Sequence, residues 1–358
     1  MIRLQKKPGT FLPTPEQHQL LRASLLHDPP SVRASFEAWK SLVHIDRIDQ
    51  GAMRLLPLLY RNLQRAGVDD PLLPRLKGVY RQVWFRNQLI LGHGQRALRA
   101  LADAGIPAIA LKGAALVQTV YAQPALRPME DYDLLVPRDQ FARAVKVLLD
   151  GAWEFQPPLA DPEPHFVFQH AVGFRRDGGG ELDLHWTAMG LARDGFPSTD
   201  GVLAPADQLL QICTHATRFN PDIPPIRWVA DAYLLLARGS FPWDEMVELA
   251  RERGLSLVML RSLEYLRDGL EMSVPDDVMR VLARQTNVRE RIALALRNAR
   301  GRRVYVQFFV DWMGNVRSLR QLLLLPRFLR SYCRVGSSAE LLRLIAARLA
   351  WNMRRAKT

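Results

Sequence analysis

Apolar residues recur at three- and four-residue steps through residues 14–103, the spacing that lines one side of a helix. Thr14-Pro15-Glu16 reads as a helix start, with a capping side chain followed by proline at the first helical position. Pro29-Pro30 reads as the stop of that helix, and Ser31 as a cap for the next. Leu55, Leu58, Leu59 and Leu63 then fall at helical spacing, and apolar positions continue through Leu76, Val79, Val83, Leu91, Leu98 and Leu101. At residue 104 the period changes. Ala104-Gly105-Ile106-Pro107 is a turn signal, and Ala108-Ile109-Ala110-Leu111 is a short apolar run suited to a buried strand. Lys112-Gly113 ends it, and residues 114–121 return to helical spacing. A proline-bounded loop leads to Asp131-Tyr132-Asp133-Leu134-Leu135-Val136, a second strand, and residues 138–151 are helical with a glycine stop. Residues 165–176 and 181–186 are two extended runs joined by Asp177-Gly178-Gly179-Gly180, a hairpin turn. Helical periodicity resumes over 204–217, 225–238, 242–253, 255–270, 275–284 and 288–299, each bounded by proline, glycine or a capping residue.

This pattern predicts a mixed α+β fold in which a small sheet core is flanked by helices. It divides the chain into a helical cap (1–103), an α/β core (104–200), a helical region walling the core (201–286) and a helical tail (287–358). With 358 residues and 48% apolar content the chain has ample material for a buried core. Two cysteines, Cys213 and Cys333, exclude a disulfide scaffold or a cysteine zinc site and point to a reducing, cytoplasmic compartment. No apolar run is long enough to span a bilayer, and the basic N-terminus is not followed by the apolar stretch of a signal peptide. The net charge of +13 lies wholly in the tail: from Asn287 onward there are 16 basic residues and three acidic ones.

The chemistry concentrates in three aspartates. On a strand the side-chain period is two, so Asp131 and Asp133 project from one face while Tyr132 and Leu134 take the other. Neighbouring carboxylates repel unless a cation lies between them, and a divalent metal is the common remedy. Glu181-Leu182-Asp183-Leu184-His185-Trp186 alternates in the same way, placing Glu181, Asp183 and His185 on one face. If the two strands are neighbours, Asp183 completes a three-carboxylate set able to hold two metals, the arrangement that clamps both oxygens of an in-line phosphoryl or nucleotidyl displacement. Asp-x-Asp at a strand start is also common as solvated surface. The preceding Leu111-Lys112-Gly113 argues for chemistry, because a strand ending in lysine and glycine where a helix begins is a ready anion site.

The ordered set Leu111-Lys112-Gly113, Arg127-Pro128-Met129-Glu130-Asp131-Tyr132-Asp133-Leu134-Leu135-Val136 and Leu182-Asp183-Leu184-His185-Trp186 resembles the uncharacterised bacterial nucleotidyltransferase family of the DNA polymerase β superfamily. The likeness extends over most of residues 15–270. It implies a polymerase-β-like nucleotidyltransferase core. It implies Asp131 and Asp133 as the metal-binding pair, and Asp183 as a third metal-binding carboxylate that helps activate an acceptor hydroxyl. Lys112, Gly113 and Arg127 become the phosphate-side residues. Two Mg²⁺ ions, or Mn²⁺, are the implied cofactors, and an NTP the implied substrate, its NMP passing to an acceptor with release of pyrophosphate. The acceptor, whether small molecule, glycan or protein, is left open. The superfamily's usual Gly-Ser is Gly113-Ala114 here, and the gap from Gly113 to Asp131 is longer than the common spacing.

Other candidates carry competing readings. Arg127 is either a phosphate or acidic-cluster partner or a surface arginine. His185 either orients a carboxylate or is a core histidine, and Trp186 either stacks on a base or packs. Arg227 and Asp231 stand four apart and read either as a structural helical pair or, with His215 on the helix before, as part of a helix pair in 201–286 that walls a nucleotide cleft. His165 and His170, if both extended, face opposite ways and share no metal. The basic tail, with Leu342, Ile345, Leu349 and Met353 as an apolar stripe beside Arg343, Arg348, Arg354 and Arg355, fits a solvated helical face, an anionic membrane surface or nucleic acid. The competing function classes are a non-catalytic nucleotide-binding sensor or assembly subunit, and an antitoxin-like or regulatory partner that nucleotidylates another protein.

Overall fold

The structure is a computed structural model, and it describes residues 11–159, 161–188, 201–217, 226–297, 319–333 and 335–343. Five helices lead in: α1 (Pro15–Leu25), α2 (Pro29–Leu42), α3 (Gln50–Met53), α4 (Leu56–Arg65) and the long α5 (Leu73–Asp103). The core follows as β1 (Ile109–Ala110), α6 (Lys112–Thr119), β2 (Tyr132–Leu135), α7 (Phe141–Asp150), β3 (Glu154–Phe155), α8 (Glu163–Phe168), β4 (Ala171–Arg176) and β5 (Gly180–His185). Then come α9 (Pro205–Ala216), α10 (Arg227–Leu236), α11 (Trp243–Glu252), α12 (Ser256–Leu270), α13 (Asp276–Gln285), α14 (Val288–Arg297), α15 (Leu319–Leu322) and α16 (Leu325–Cys333). The mixed α+β class expected from the periodicity is the class found.

Three boundaries differ from expectation, each for a local reason. Thr14 caps α1 as expected, its side chain and that of Gln17 forming a reciprocal capping box. The proline pair, however, opens α2 rather than closing α1. A proline at the first helical position forfeits no bond, and Asp28 accepts from the amide of Ser31 at 2.9 Å. Helix α6 begins two residues early, at Lys112. Residues 163–168 are helical although their alternation of histidine, phenylalanine and valine suits a strand. Pro164 fits the first turn of α8, and Phe168 is buried against Phe328 of α16, ring centroids 5.0 Å apart. His165 therefore sits on a helix and bonds Gln169 and Ser331, not a shared site with His170.

The five strands form one sheet in the order β1-β2-β5-β4-β3. β2 and β5 run parallel, and the other neighbours are antiparallel. The hairpin read from the glycine run joins β4 to β5, pairing Arg176 with Gly180. Val172, Phe174, Leu182 and Leu184 fill one buried cluster with Ile90, Ala97 and Leu101 of α5 and Leu148 of α7. A second cluster unites helices from both ends of the chain, Leu20, Leu59 and Leu63 packing with Leu209, Val229 and Leu263. α5 belongs to both, giving Leu76 to the helical core and Ile90 to the sheet core. Its crossing of the sheet depends on Gly94, where a Cβ would lie 2.0 Å from the ring of Tyr132. Glycine is there for the close approach.

Candidate functional site

The parallel pairing of β2 with β5 sets Asp133 directly beside Asp183, and Leu135 beside His185. Neighbouring strands in register share a face at each step, so the two carboxylates meet on the sheet face away from Tyr132, Leu134 and Leu182. Ligand atoms of Asp133, Asp183 and His185 lie within 4.8 Å of one another. Opposite Asp183 on β4 is Gly173, where a Cβ would come within 3.2 Å of the Asp183 carboxylate and 2.5 Å of the Gln156 carbonyl. That side of the cluster is kept clear by a missing side chain.

Asp133 is almost wholly buried and is held by two donors. Lys112 Nζ lies 2.6 Å from its Oδ1, and His185 Nε2 lies 2.8 Å from the same atom. Burial works against its ionisation, but the Lys112 ammonium and the His185 bond outweigh that and hold the carboxyl well below the usual range. For His185, burial first and Lys112 second lower the imidazole, so the ring is neutral at pH 7. A neutral ring bonded to a carboxylate through Nε2 carries its proton there, which leaves Nδ1 as the acceptor, buried and without a hydrogen-bond partner among the described residues. His185 thus orients Asp133 through Nε2, and only its Nδ1 could ligate a metal without giving up that bond.

Asp131 sits one residue before β2 and is not one of the three clustered groups, yet it feels their charge. Burial, then repulsion from Asp133 and Asp183, push its carboxyl up to about 7. In the metal-free protein Asp131 therefore holds a proton that the unfolded chain releases near pH 4. The sign follows by linkage: stability conferred by that proton is full below the unfolded value and is lost as pH rises to about 7, after which it is level. Unfolding of the wild type and of Asp131→Asn in a chelator should show the variant gaining relative stability from about pH 4 to about 7 and no further gain above. A flat difference across that window would place Asp131 away from the cluster's field.

Lys112 reaches Asp133 because of where α6 starts. Its φ of +45° is a left-handed conformation that an L residue rarely adopts and that costs of order 1–3 kcal/mol. The first turn of α6 has no side-chain cap, so the amides of Lys112, Gly113 and Ala114 are orphan donors at the end of the helix that carries a partial positive charge. Gly113 is required by what lies against it, since a Cβ there would sit 2.5 Å from the Arg127 guanidinium and 3.1 Å from Met129.

Arg127 is not the surface arginine that was one of its two readings. The side chain is buried and bound bidentately by Asp231 of α10, with Nε to Oδ1 and Nη2 to Oδ2 both at 2.8 Å. Tyr121 also donates to Asp231 Oδ1 at 2.7 Å. Arg227, expected to pair with Asp231, instead donates to the carbonyl of Pro128 at 3.0 Å. Burial opposes ionisation of Asp231, and Arg127 more than offsets it, keeping the carboxyl below its ordinary value. Asn87 of α5 completes the clamp: its amide donates to the carbonyls of Pro124 and Arg127, and its oxygen accepts from the amide of Met129. An asparagine on the apolar side of an amphipathic helix, three residues before Ile90, was the available signal for this role. The loop delivering Asp131 is thereby fixed from both sides. Trp186 is core, packed on Phe141 with ring centroids 4.4 Å apart.

The cluster suits a divalent cation. Two carboxylates face each other, a third is charged only with difficulty, and a lysine presently supplies the positive charge. Neighbouring ligands of a six-coordinate Mg²⁺ lie about 3 Å apart and opposite ones about 4.2 Å, and the three groups here lie within 4.8 Å of one another. Carboxylate oxygens favour Mg²⁺ or Mn²⁺ over softer ions.

Residues 50–271, more than half of the chain, match the model of a protein family described as uncharacterised nucleotidyltransferase. The match covers α3 through α12 and includes every residue of the site. A search of curated proteins finds no match.

Proposed function

Since the chain belongs to that uncharacterised nucleotidyltransferase family, we propose that it moves a nucleoside monophosphate from an NTP to an acceptor hydroxyl or phosphate and releases pyrophosphate. The observation that carries this is the register of β2 against β5, which sets Asp133 beside Asp183 at the uncapped start of α6. Asp133, Asp183 and Asp131 would hold Mg²⁺ or Mn²⁺, two ions when loaded, and the metal would supply charge neutralisation at the transferred phosphoryl group. His185 fixes the rotamer of Asp133. Asp183, free of the lysine contact, is the carboxylate placed to accept a proton from the acceptor. The amides of α6 would face the anionic end of the nucleotide, and Lys112, bonded to Asp133 here, would serve a phosphate once a metal held that carboxylate. Asp133 would then give up a monovalent partner, the Lys112 ammonium, for a share of a divalent one. Arg127 serves by position, packing under Gly113 while bound to Asp231.

A second reading, a nucleotide-binding protein without turnover, is favoured by two features: Lys112 already neutralises Asp133, and Ala114 offers no hydroxyl where the superfamily's usual pair has serine. The readings separate on pyrophosphate. Purified protein incubated with each NTP, Mg²⁺ or Mn²⁺ and a lysate should release pyrophosphate and leave label on small molecules, glycans or protein, and a chelator should stop both. Saturable, metal-dependent NTP binding by calorimetry with no pyrophosphate from any mixture would establish the binding protein instead. Label found on protein alone would select the regulatory class of acceptor.

For the tail, Leu342 and Arg343 are described and Leu342 is exposed, whereas Ile345, Leu349, Met353, Arg348, Arg354 and Arg355 lie outside the described residues. Among the described residues no helix is long and apolar enough to cross a membrane.

A further inference from the structure

α5 is 31 residues long and carries Arg75, Lys77, Arg81, Arg86, Arg96 and Arg99 with no acidic residue before Asp103. Arg75 pairs with Asp46, but the other five cations are exposed and have no ion-pair partner among the described residues. Its inner side is committed to the cores and to the Asn87 clamp. On the outer side, positions 81, 85, 88, 89, 92, 96 and 99 recur at three- and four-residue steps and so form one stripe. In the middle of that stripe stand Phe85 at 62% exposure and Leu89 at 43%, with Trp84 at 48% on its flank. Large apolar side chains exposed together on a helix, rimmed by cations, mark a surface that meets a partner.

We propose that this face of α5 docks the protein on an anionic lipid bilayer, Phe85, Leu89 and Trp84 entering the headgroup boundary and Arg81, Arg96 and Arg99 lying against lipid phosphates. Three observations select a bilayer over other anions. The charge is of one sign along a helix about 45 Å long, so it complements an extended anionic plane rather than a single ligand. The apolar group includes an aliphatic leucine, which gains from hydrocarbon and contributes nothing to base stacking. The apolar side chains sit centrally with basic ones at either end, the layout of an amphipathic helix lying in the plane of the interface. The opposite side of α5 holds the loop that leads to Asp131, so docking leaves the site unblocked and at a fixed height above the membrane. The inference is independent of the reaction proposed above.

The test is co-sedimentation of the full chain with phosphatidylcholine vesicles with and without about 30% phosphatidylserine. Binding is expected only to the anionic vesicles. The combined variant Trp84→Ser, Phe85→Ser and Leu89→Ser should lower the partition coefficient at least about tenfold while melting like the wild type. The charge variant Arg81→Glu with Arg96→Glu should do the same and should remove the salt dependence contributed by α5. Unchanged binding in both variants would overturn the proposal and leave the arginine-rich tail as the lipid contact. Binding of single-stranded oligonucleotide, lost in the serine variant, with no vesicle binding would overturn it in favour of nucleic acid. A wild-type dimer that the serine variant converts to monomer, again with no vesicle binding, would make the face a contact between copies.

Discussion

Asp133→Asn should lower metal-dependent pyrophosphate release by roughly 10³-fold or more while leaving a folded protein. The size follows from the number of relations that end on one carboxylate. Asp133 accepts from Lys112 and from His185, and it lies beside Asp183 in the parallel register. Asparagine keeps the shape and one oxygen for His185 but removes the negative charge that a metal would share. The stability cost is held down because Lys112 is partly exposed, with 22% of its side chain accessible, and can turn to solvent when its partner is neutral. Loss of chemistry and loss of fold are told apart by two readings on the same sample. Thermal unfolding should remain cooperative, and Mn²⁺ binding, followed by the ion's paramagnetic effect on water relaxation, should weaken at least about tenfold. Undiminished pyrophosphate release by this variant would remove the proposed metal site. Undiminished Mn²⁺ binding with lost release would instead put the metal on Asp131 and Asp183 and leave Asp133 a part in the chemistry alone.

What could be read from the chain before the fold was known follows the reach of each rule. The period of two put Asp133 on the face away from Tyr132 and Leu134, and the glycine run fixed the β4–β5 hairpin, because both are local, whereas Asp131 fell one residue before the strand. The neighbourhood of Asp133 and Asp183 needed the parallel pairing of β2 with β5, reached only after a crossover through α7, β3, α8 and β4. No local pattern encodes that pairing, so it entered as a condition. The six helices after residue 204 were legible within a residue or two, since prolines, glycines and caps punctuate them. Residues 163–168 were not, because aromatic and β-branched residues favour a strand until a partner such as Phe328 buries one side of the helix. Arg127 shows the limit most sharply: it bonds a residue 104 positions away, whereas the i,i+4 rule could offer Asp231 only its helix neighbour Arg227. Lys112 was expected to meet phosphate, and its bond to Asp133 came only with the coordinates.

Asp231→Ala is expected to destabilise the protein by about 3–5 kcal/mol, the range for leaving one member of a buried ion pair uncompensated. Arg127 is only 4% exposed, has its guanidinium packed on Gly113, and has no route to water when its carboxylate partner is removed. Tyr121 loses its acceptor in the same step, and a buried hydroxyl without a partner adds to the cost. The paired variant Arg127→Met with Asp231→Leu should recover most of that loss, because replacing a buried pair by apolar residues of similar volume is often neutral. Urea unfolding of the three proteins measures both effects. Activity should not follow stability. The double variant keeps a packed core yet loses the forked bond that ties α10 to the loop ahead of Asp131, so kcat should fall while KM for the NTP changes little. A stable Arg127→Met single variant whose KM for NTP alone rises would reverse the assignment, making Arg127 a phosphate ligand and its bond to Asp231 a resting contact. The buried bidentate geometry argues the other way: a guanidinium whose Nε and Nη2 are both bonded, and which is almost wholly buried, holds a loop in place, and in the proposed function the phosphate would fall to Lys112 and the open amides of α6.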